Sequence, residues 1–154
     1  MKAITIHQPW ATLKAVGEKR FETRGWSTKY RGQIAIHAGQ KIDKNACEEP
    51  EIKAALARHG YTVDNLPTGA VLAIATLKDV WSISRPYGPD GLVKKTSHDT
   101  GISNIWGGMK PSEYHFGDYS DGRFAWETDN VRLLATPIVA KGQQGLWNWS
   151  GDVA

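Results

Sequence analysis

The stretch from Gly69 to Trp81 is the longest apolar run in the chain, rich in Val, Leu, Ile and Ala, and it constrains the fold more than any other segment. It is bounded in front by the Pro67-Thr68-Gly69 turn signal and is shorter than the roughly 20 residues a membrane-crossing helix needs. It therefore reads as a central strand. A chain built around such a strand must supply further strands on either side and elements to cover them.

The remaining patterns supply them. Lys2 to His7 alternates as a strand, and Pro9 opens a short helix with Trp10, Leu13 and Val16 at helical spacing and Gly17 as its stop. Phe21 to Trp26 forms a second strand and Gln33 to Ala38 a third, with Ile34 and Ile36 on one side and His37 on the other. Glu51 to His59 is a covering helix closed by Gly60, while Gly122–Leu134 and Pro137–Ala140 give two further strands. Strands outnumber helices and turn signals recur, which predicts an α+β chain, a mixed β-barrel with short covering helices, folded as one domain over residues 1–154. Ser84 to Asp121, dense in Gly, Pro, Ser and aromatics such as Tyr87, Trp106, Tyr114, Phe116 and Tyr119, lacks periodicity and reads as a long loop region. It is either a binding lid or an irregular cover whose aromatics plug the end of the barrel.

Charge and cysteine usage narrow the partners. The formal charge of +3 is uneven: residues 1–44 carry nine Lys/Arg against three Asp/Glu, and the remainder ten against thirteen. A basic field of this kind favours phosphate-bearing partners, since neutralising phosphates releases counterions; a solvated face is the alternative. Cys47 is the single cysteine, which excludes an internal disulfide and a cysteine zinc site. With no signal-peptide pattern at Met1–His7 and no apolar run of spanning length, the expected location is the cytoplasm and no membrane partner is expected. Neither His98-Asp99 nor Glu113-Tyr114-His115 has a recognised ligand spacing, so no structural metal and no cofactor is expected.

The chemistry is concentrated in Gly17-Glu18-Lys19-Arg20-Phe21-Glu22-Thr23-Arg24-Gly25-Trp26. Strand alternation puts Glu22 and Arg24 on one face and Phe21 and Thr23 on the other, so Glu22 and Arg24 can meet one ligand. Lys19 falls on the Phe21 face by parity, but the adjacent Gly17 turn allows it to swing toward Glu22. Arg offers a fork for phosphate, Lys a mobile charge, and Glu an acceptor for an exocyclic amine or ribose hydroxyl. The same residues also allow a plain internal salt bridge, Glu22 with Arg24 or Lys19.

Gly17, Lys19, Glu22 and Arg24 complete a GxKxxExR pattern that resembles the ASCH family of the PUA-like superfamily. Ile6–Ala11, Ile36-His37-Ala38, Phe116–Tyr119, Gly122–Trp126 and Lys141–Trp147 are similar to its bacterial and phage branch, so the resemblance spans nearly the whole chain. It implies a PUA-like barrel with a cleft in which Lys19, Glu22 and Arg24 meet nucleic acid. The implied partner is single-stranded RNA or a modified nucleotide or nucleoside, with single-stranded DNA as a further candidate. Trp10, Trp26, Trp126 and Trp147 are candidate stacking faces, His37 a candidate contact, and Gln144, between Gly142 and Gly145, a candidate reader of a base edge.

Two enzymatic alternatives stand beside the binding module. ASCH-like relatives include an amidohydrolase of N4-acetylcytidine, in which a Thr accompanies the motif lysine; Glu22 occupies that position here, and Thr23 is expected on the opposite face. Lys19 and Glu22 would then be catalytic, Glu22 as general base on water. Metal-independent ribonuclease activity is the other alternative, with Lys19, Glu22, Tyr30 and His37 as available acid–base groups.

Overall fold

The computed structural model describes residues 1–83, 94–97, 101–104 and 111–151. It is an α+β chain in two compact units, each discontinuous in sequence. The first comprises residues 1–19, 33–76 and 130–154; the second, residues 20–32 and 77–129.

In the first unit, β1 (Lys2–Gln8) pairs in parallel with β3 (Gly32–Ile42), from Lys2 opposite Ile34 to Ile6 opposite Ala38. On its other side β1 pairs antiparallel with β8 (Leu146–Asn148), Ala3 facing Trp147. Between β1 and the motif lies α1 (Trp10–Ala15), whose N-cap is Pro9 and whose chain reverses at Gly17, where a φ of 84° suits a residue without Cβ. Two further helices cover this unit: α2 (Lys44–Cys47), capped by the Asp43 carboxylate accepting the Ala46 N–H, and α3 (Pro50–Ala57), entered through proline. Ala3, Ala35, Val71, Ile74, Trp147 and Trp149 form one core cluster, with Leu134, Ile138 and Ala140 packed against it.

In the second unit, β2 (Phe21–Arg24) pairs antiparallel with the start of β7 (Phe124–Val139). Phe21, Trp81, Ile83, Tyr119 and Ala125 form its core. The apolar run is β4 (Ala70–Ser82), which begins in the first unit and ends in the second; β7 makes the reverse passage at Asn130. The strand order β2-β7-β4-β3-β1-β8 keeps β4 central, as the sequence predicts.

Three expectations are corrected. The sheet order is a row with two ends, so among the described residues its pairings do not close a barrel. The strands expected at Gly122–Leu134 and Pro137–Ala140 are the single β7. Within the region read as loop, β5 (Lys94–Ser97) and β6 (Gly101–Asn104) form an antiparallel pair, and Pro111–Phe116 forms a 3₁₀ turn. The short α2 carries no periodic signal in the sequence. Tyr87, Trp106 and His98-Asp99 lie outside the described residues. No helix among the described residues is long and apolar enough to cross a membrane.

Candidate nucleic-acid interface

Strand β2 has two faces with different fates. Phe21 faces inward with Ala125, and Thr23 is pinned by its hydroxyl accepting the Asp118 N–H at 3.1 Å. Gly117 lies so close to Thr23 that a Cβ there would sit 2.9 Å from Oγ1. Thr23 is therefore held away from the Glu22 face, as alternation predicts.

On the other face, Arg24 Nη2 donates to Glu22 Oε2 at 2.9 Å, and the register sets Glu22 opposite Trp126 and Arg24 opposite Phe124. Trp126 is buried; its indole N–H donates to the Trp26 carbonyl at 3.1 Å, and its ring meets that of Trp26 edge-on, with centroids 4.7 Å apart. Exposure grows along this row: Glu22 is 8% exposed, Arg24 is half-buried, and Trp26 reaches 38%. The face is thus dry at the carboxylate and open at the indole. A carboxylate and a guanidinium already in register, beside an indole with solvent access, can offer hydrogen bonds and a stacking surface to one planar ligand.

Several contacts make this row rigid. Glu113, buried, accepts the backbone N–H groups of Arg20 at 2.6 Å and Phe21 at 3.3 Å, which fixes the entry into β2. Glu127, also buried, accepts the Trp81 indole N–H at 2.8 Å and pairs with the Arg20 guanidinium. Beyond Trp26, the loop is tied down by Arg31, whose Nη1 donates to the Thr28 and Tyr30 carbonyls while Nη2 pairs with Asp79 at 3.1 Å. Tyr30 belongs to this loop and is half-buried.

The structure also places a residue that sequence reasoning left out. Arg123 donates from Nε to the Asp118 carbonyl at 3.0 Å and from Nη2 to the Thr23 carbonyl at 3.3 Å, and its guanidinium lies against Gly25. The signal was available in Gly122–Trp126, whose Phe124 stands opposite Arg24.

The other candidates belong to the first unit. Lys19 is fully buried, at 1% exposure, and its backbone N–H donates to the Leu13 carbonyl at 3.0 Å. Just before it, Glu18 is gripped by Arg58, Nε to Oε1 at 2.9 Å and Nη2 to Oε2 at 3.1 Å, with His59 Nε2 at 3.0 Å from Oε1. The hydrogen bond from Arg58 holds the Glu18 carboxyl below its ordinary range, with His59 adding to this and partial burial opposing it. Burial, helped by Asp43 and Glu48, pushes the Cys47 thiol up, which leaves it a poor nucleophile.

His37 is buried with both ring nitrogens used inside the protein. Nε2 faces the Ala140 carbonyl at 2.7 Å, so it carries a proton there, and Nδ1 shares a hydrogen bond with the Thr5 hydroxyl 3.1 Å away. Thr5 in turn accepts the Trp147 indole N–H at 3.0 Å. Trp147 and Trp126 are core residues, Trp10 is half-buried at the start of α1, and Gln144 is exposed on the segment before β8. The structure therefore brings Glu22, Arg24, Trp26 and Trp126 together in one unit and sets Lys19, His37, Trp10, Trp147 and Gln144 in the other. Among the described residues no group of three or more His, Cys, Asp or Glu is arranged to hold a metal ion.

Comparison with known proteins agrees with the family resemblance. A stretch of 83 residues, 51% of this chain, is 35% identical to Activating signal cointegrator 1 of Mus musculus and equally to that of Homo sapiens. The match covers 14% of each of those proteins, so the chain corresponds to a small part of the curated relatives it resembles. The ASCH domain family model matches residues 4–117, a span that contains all of Gly17, Lys19, Glu22 and Arg24. The chain belongs to the ASCH domain family.

Proposed function

We propose that this chain is an RNA-binding module that holds an unpaired base, plain or modified, against the Glu22–Arg24 row, with Trp26 as its stacking partner. The observation that carries the reading is the Trp26–Trp126 edge-on contact beside the Glu22–Arg24 pair. It presents a partly exposed indole next to a donor and an acceptor already fixed in register. Stacking on such a ring contributes about 1–3 kcal/mol per base and tolerates any base, while the ion pair adds directional hydrogen bonds.

Arg123, lying along the Thr23 and Gly25 end of β2, adds a second guanidinium for the strand backbone. Lys19, Gln144 and Trp10 belong to the other unit, and the reading does not draw on them. His37 has no role in this reading, since both of its nitrogens are committed. The fold is read as PUA-like, the molecule as one functional domain, and the reducing cytoplasm as the setting that suits a buried free thiol.

Hydrolysis of an acylated nucleoside or of RNA would require Glu22 to act on water or on a ribose hydroxyl. Its Oε2 is engaged by Arg24, and Thr23 is bonded on the opposite face, so the arrangement favours holding a ligand over attacking one. The deciding experiment titrates the protein with single-stranded RNA, single-stranded DNA and modified nucleosides, and follows products by mass spectrometry in the same samples. Salt-sensitive RNA binding without products supports the module. Products lost in Glu22→Gln would replace it with an enzyme, and no binding by any ligand would refute it.

A further inference from the structure

A shallow concavity of about 580 Å³ opens on the first unit, lined by none of the residues assigned to the base site. Ile74, Ala75 and Val131 supply its apolar lining. Its polar groups are Gln33 on β3, Thr76 on β4, and Asn130 and Arg132 on β7, strands that are neighbours in the sheet.

Three consecutive residues of β7, from Asn130 to Arg132, and three of β4, from Ile74 to Thr76, contribute to the wall of this space. Within the β7 stretch, Asn130 has a φ of 49°, the sole positive value at a non-glycine among the described residues. Asn tolerates this region better than most residues, and such a break in a strand re-aims the side chains on either side of it. The residues that line it thus bring two carboxamides, a guanidinium and a hydroxyl to one region of the surface.

The lining contains no acidic residue, and its one charge is the exposed guanidinium of Arg132. A forked cation in one lining with two carboxamides and a hydroxyl is a donor set for an oxyanion, and the volume falls in the range, about 300–1,000 Å³, of small-molecule sites. We propose that this concavity is a second binding site, one that takes the phosphate of a nucleotide, whether free or as one phosphodiester of a nucleic-acid strand. It draws on residues of a different unit from the Glu22–Arg24 row and does not depend on that row binding a base.

The test uses the whole chain and three probes: uridine monophosphate, uridine and a single-stranded oligouridine. In ¹⁵N-labelled protein the monophosphate should shift the amide resonances of Gln33, Thr76 and Asn130 and the Nε of Arg132, while uridine should not. Arg132→Gln, at an exposed position, should weaken monophosphate binding at least fivefold without altering the fold. If the site takes a strand, Arg132→Gln should also lower the slope of log affinity against log salt for oligouridine by about 0.7, the release expected for one single-strand phosphate contact. Lost monophosphate binding with an unchanged oligouridine slope assigns the site to the free nucleotide. Absence of monophosphate shifts in the wild type, together with oligouridine affinity and slope unchanged in Arg132→Gln, overturns the proposal. Trp26→Ala, measured in parallel, separates the two sites: if it leaves oligouridine binding intact while Arg132→Gln weakens it, the base site fails and the phosphate site stands.

Discussion

Arg24 reaches back along its own strand to Glu22, and the 2.9 Å contact between them lies on the face that also carries Trp126. The pair is a strut and, in the proposed function, a recognition surface. Arg24→Ala is expected to reduce single-stranded RNA affinity about tenfold, because a charge-assisted hydrogen bond contributes about 1.5–3 kcal/mol. Arg24→Lys should recover part of the loss, keeping charge without the fork. Fluorescence anisotropy against a labelled oligonucleotide measures both, and affinity unchanged in a folded Arg24→Ala protein would sink the assignment.

Trp26 separates stacking from structure. Its ring is partly exposed and rests edge-on against Trp126. Trp26→Ala should cost about 1–3 kcal/mol of RNA affinity, while Trp26→Phe keeps most of it. Thermal melting should shift by only a few degrees in either variant, and a large loss of stability at constant affinity would make Trp26 a purely structural residue.

His37 predicts the opposite division. His37→Phe retains an aromatic ring but strands the Ala140 carbonyl and the Thr5 hydroxyl, so stability should fall by about 1–3 kcal/mol for each group left unsatisfied. Urea denaturation reads the loss; RNA affinity of the folded fraction should be unchanged.

Lys19, by its burial, resists a clean binding test. Lys19→Ala should lower stability by about 1–3 kcal/mol through the space and partners it vacates, whereas Lys19→Met, similar in volume, isolates the charge. A melting temperature equal to wild type in Lys19→Ala would contradict the packing seen here.

The turn that opens the motif should be sensitive to acid. Glu18 has its carboxyl held below its ordinary range, chiefly by the hydrogen bond from Arg58. A carboxyl lowered in the folded state adds stability that is complete above its unfolded value and disappears as pH falls through the folded one. The stability difference between wild type and Glu18→Gln should therefore be flat from neutral pH down to about pH 5 and shrink below that. Arg58 is largely exposed, so high salt should reduce the difference as well. A difference that grows on acidification would show that the ion pair is not its source.

Much of this architecture is legible in the residues themselves. Two-residue periodicity places Glu22 and Arg24 together and Thr23 apart, and the apolar run announces the central β4. The partners that make the row rigid are not legible. Glu113 lies 93 residues from Arg20 and Trp126 lies 100 from Trp26, and local patterns carry no information about such pairings. Alternation also fails along β3, where Ile34 to Ala38 are all buried, so that His37 reads as an outward residue and is in fact enclosed. The division into two units escapes notice because β4 and β7 run through both without a break in composition.

Gly142 packs so tightly on His37 that an added Cβ would lie 2.7 Å from Cε1 and 2.8 Å from Thr5 Oγ1. Positions 142, 37 and 5 therefore form a linked trio in any diverging lineage. A methyl group can enter at 142 only after the imidazole or the threonine has been replaced by something smaller, and that first step abolishes the hydrogen-bond chain through Trp147. Substitutions at these three positions should accordingly appear in a fixed order, with loss of glycine never the earliest event.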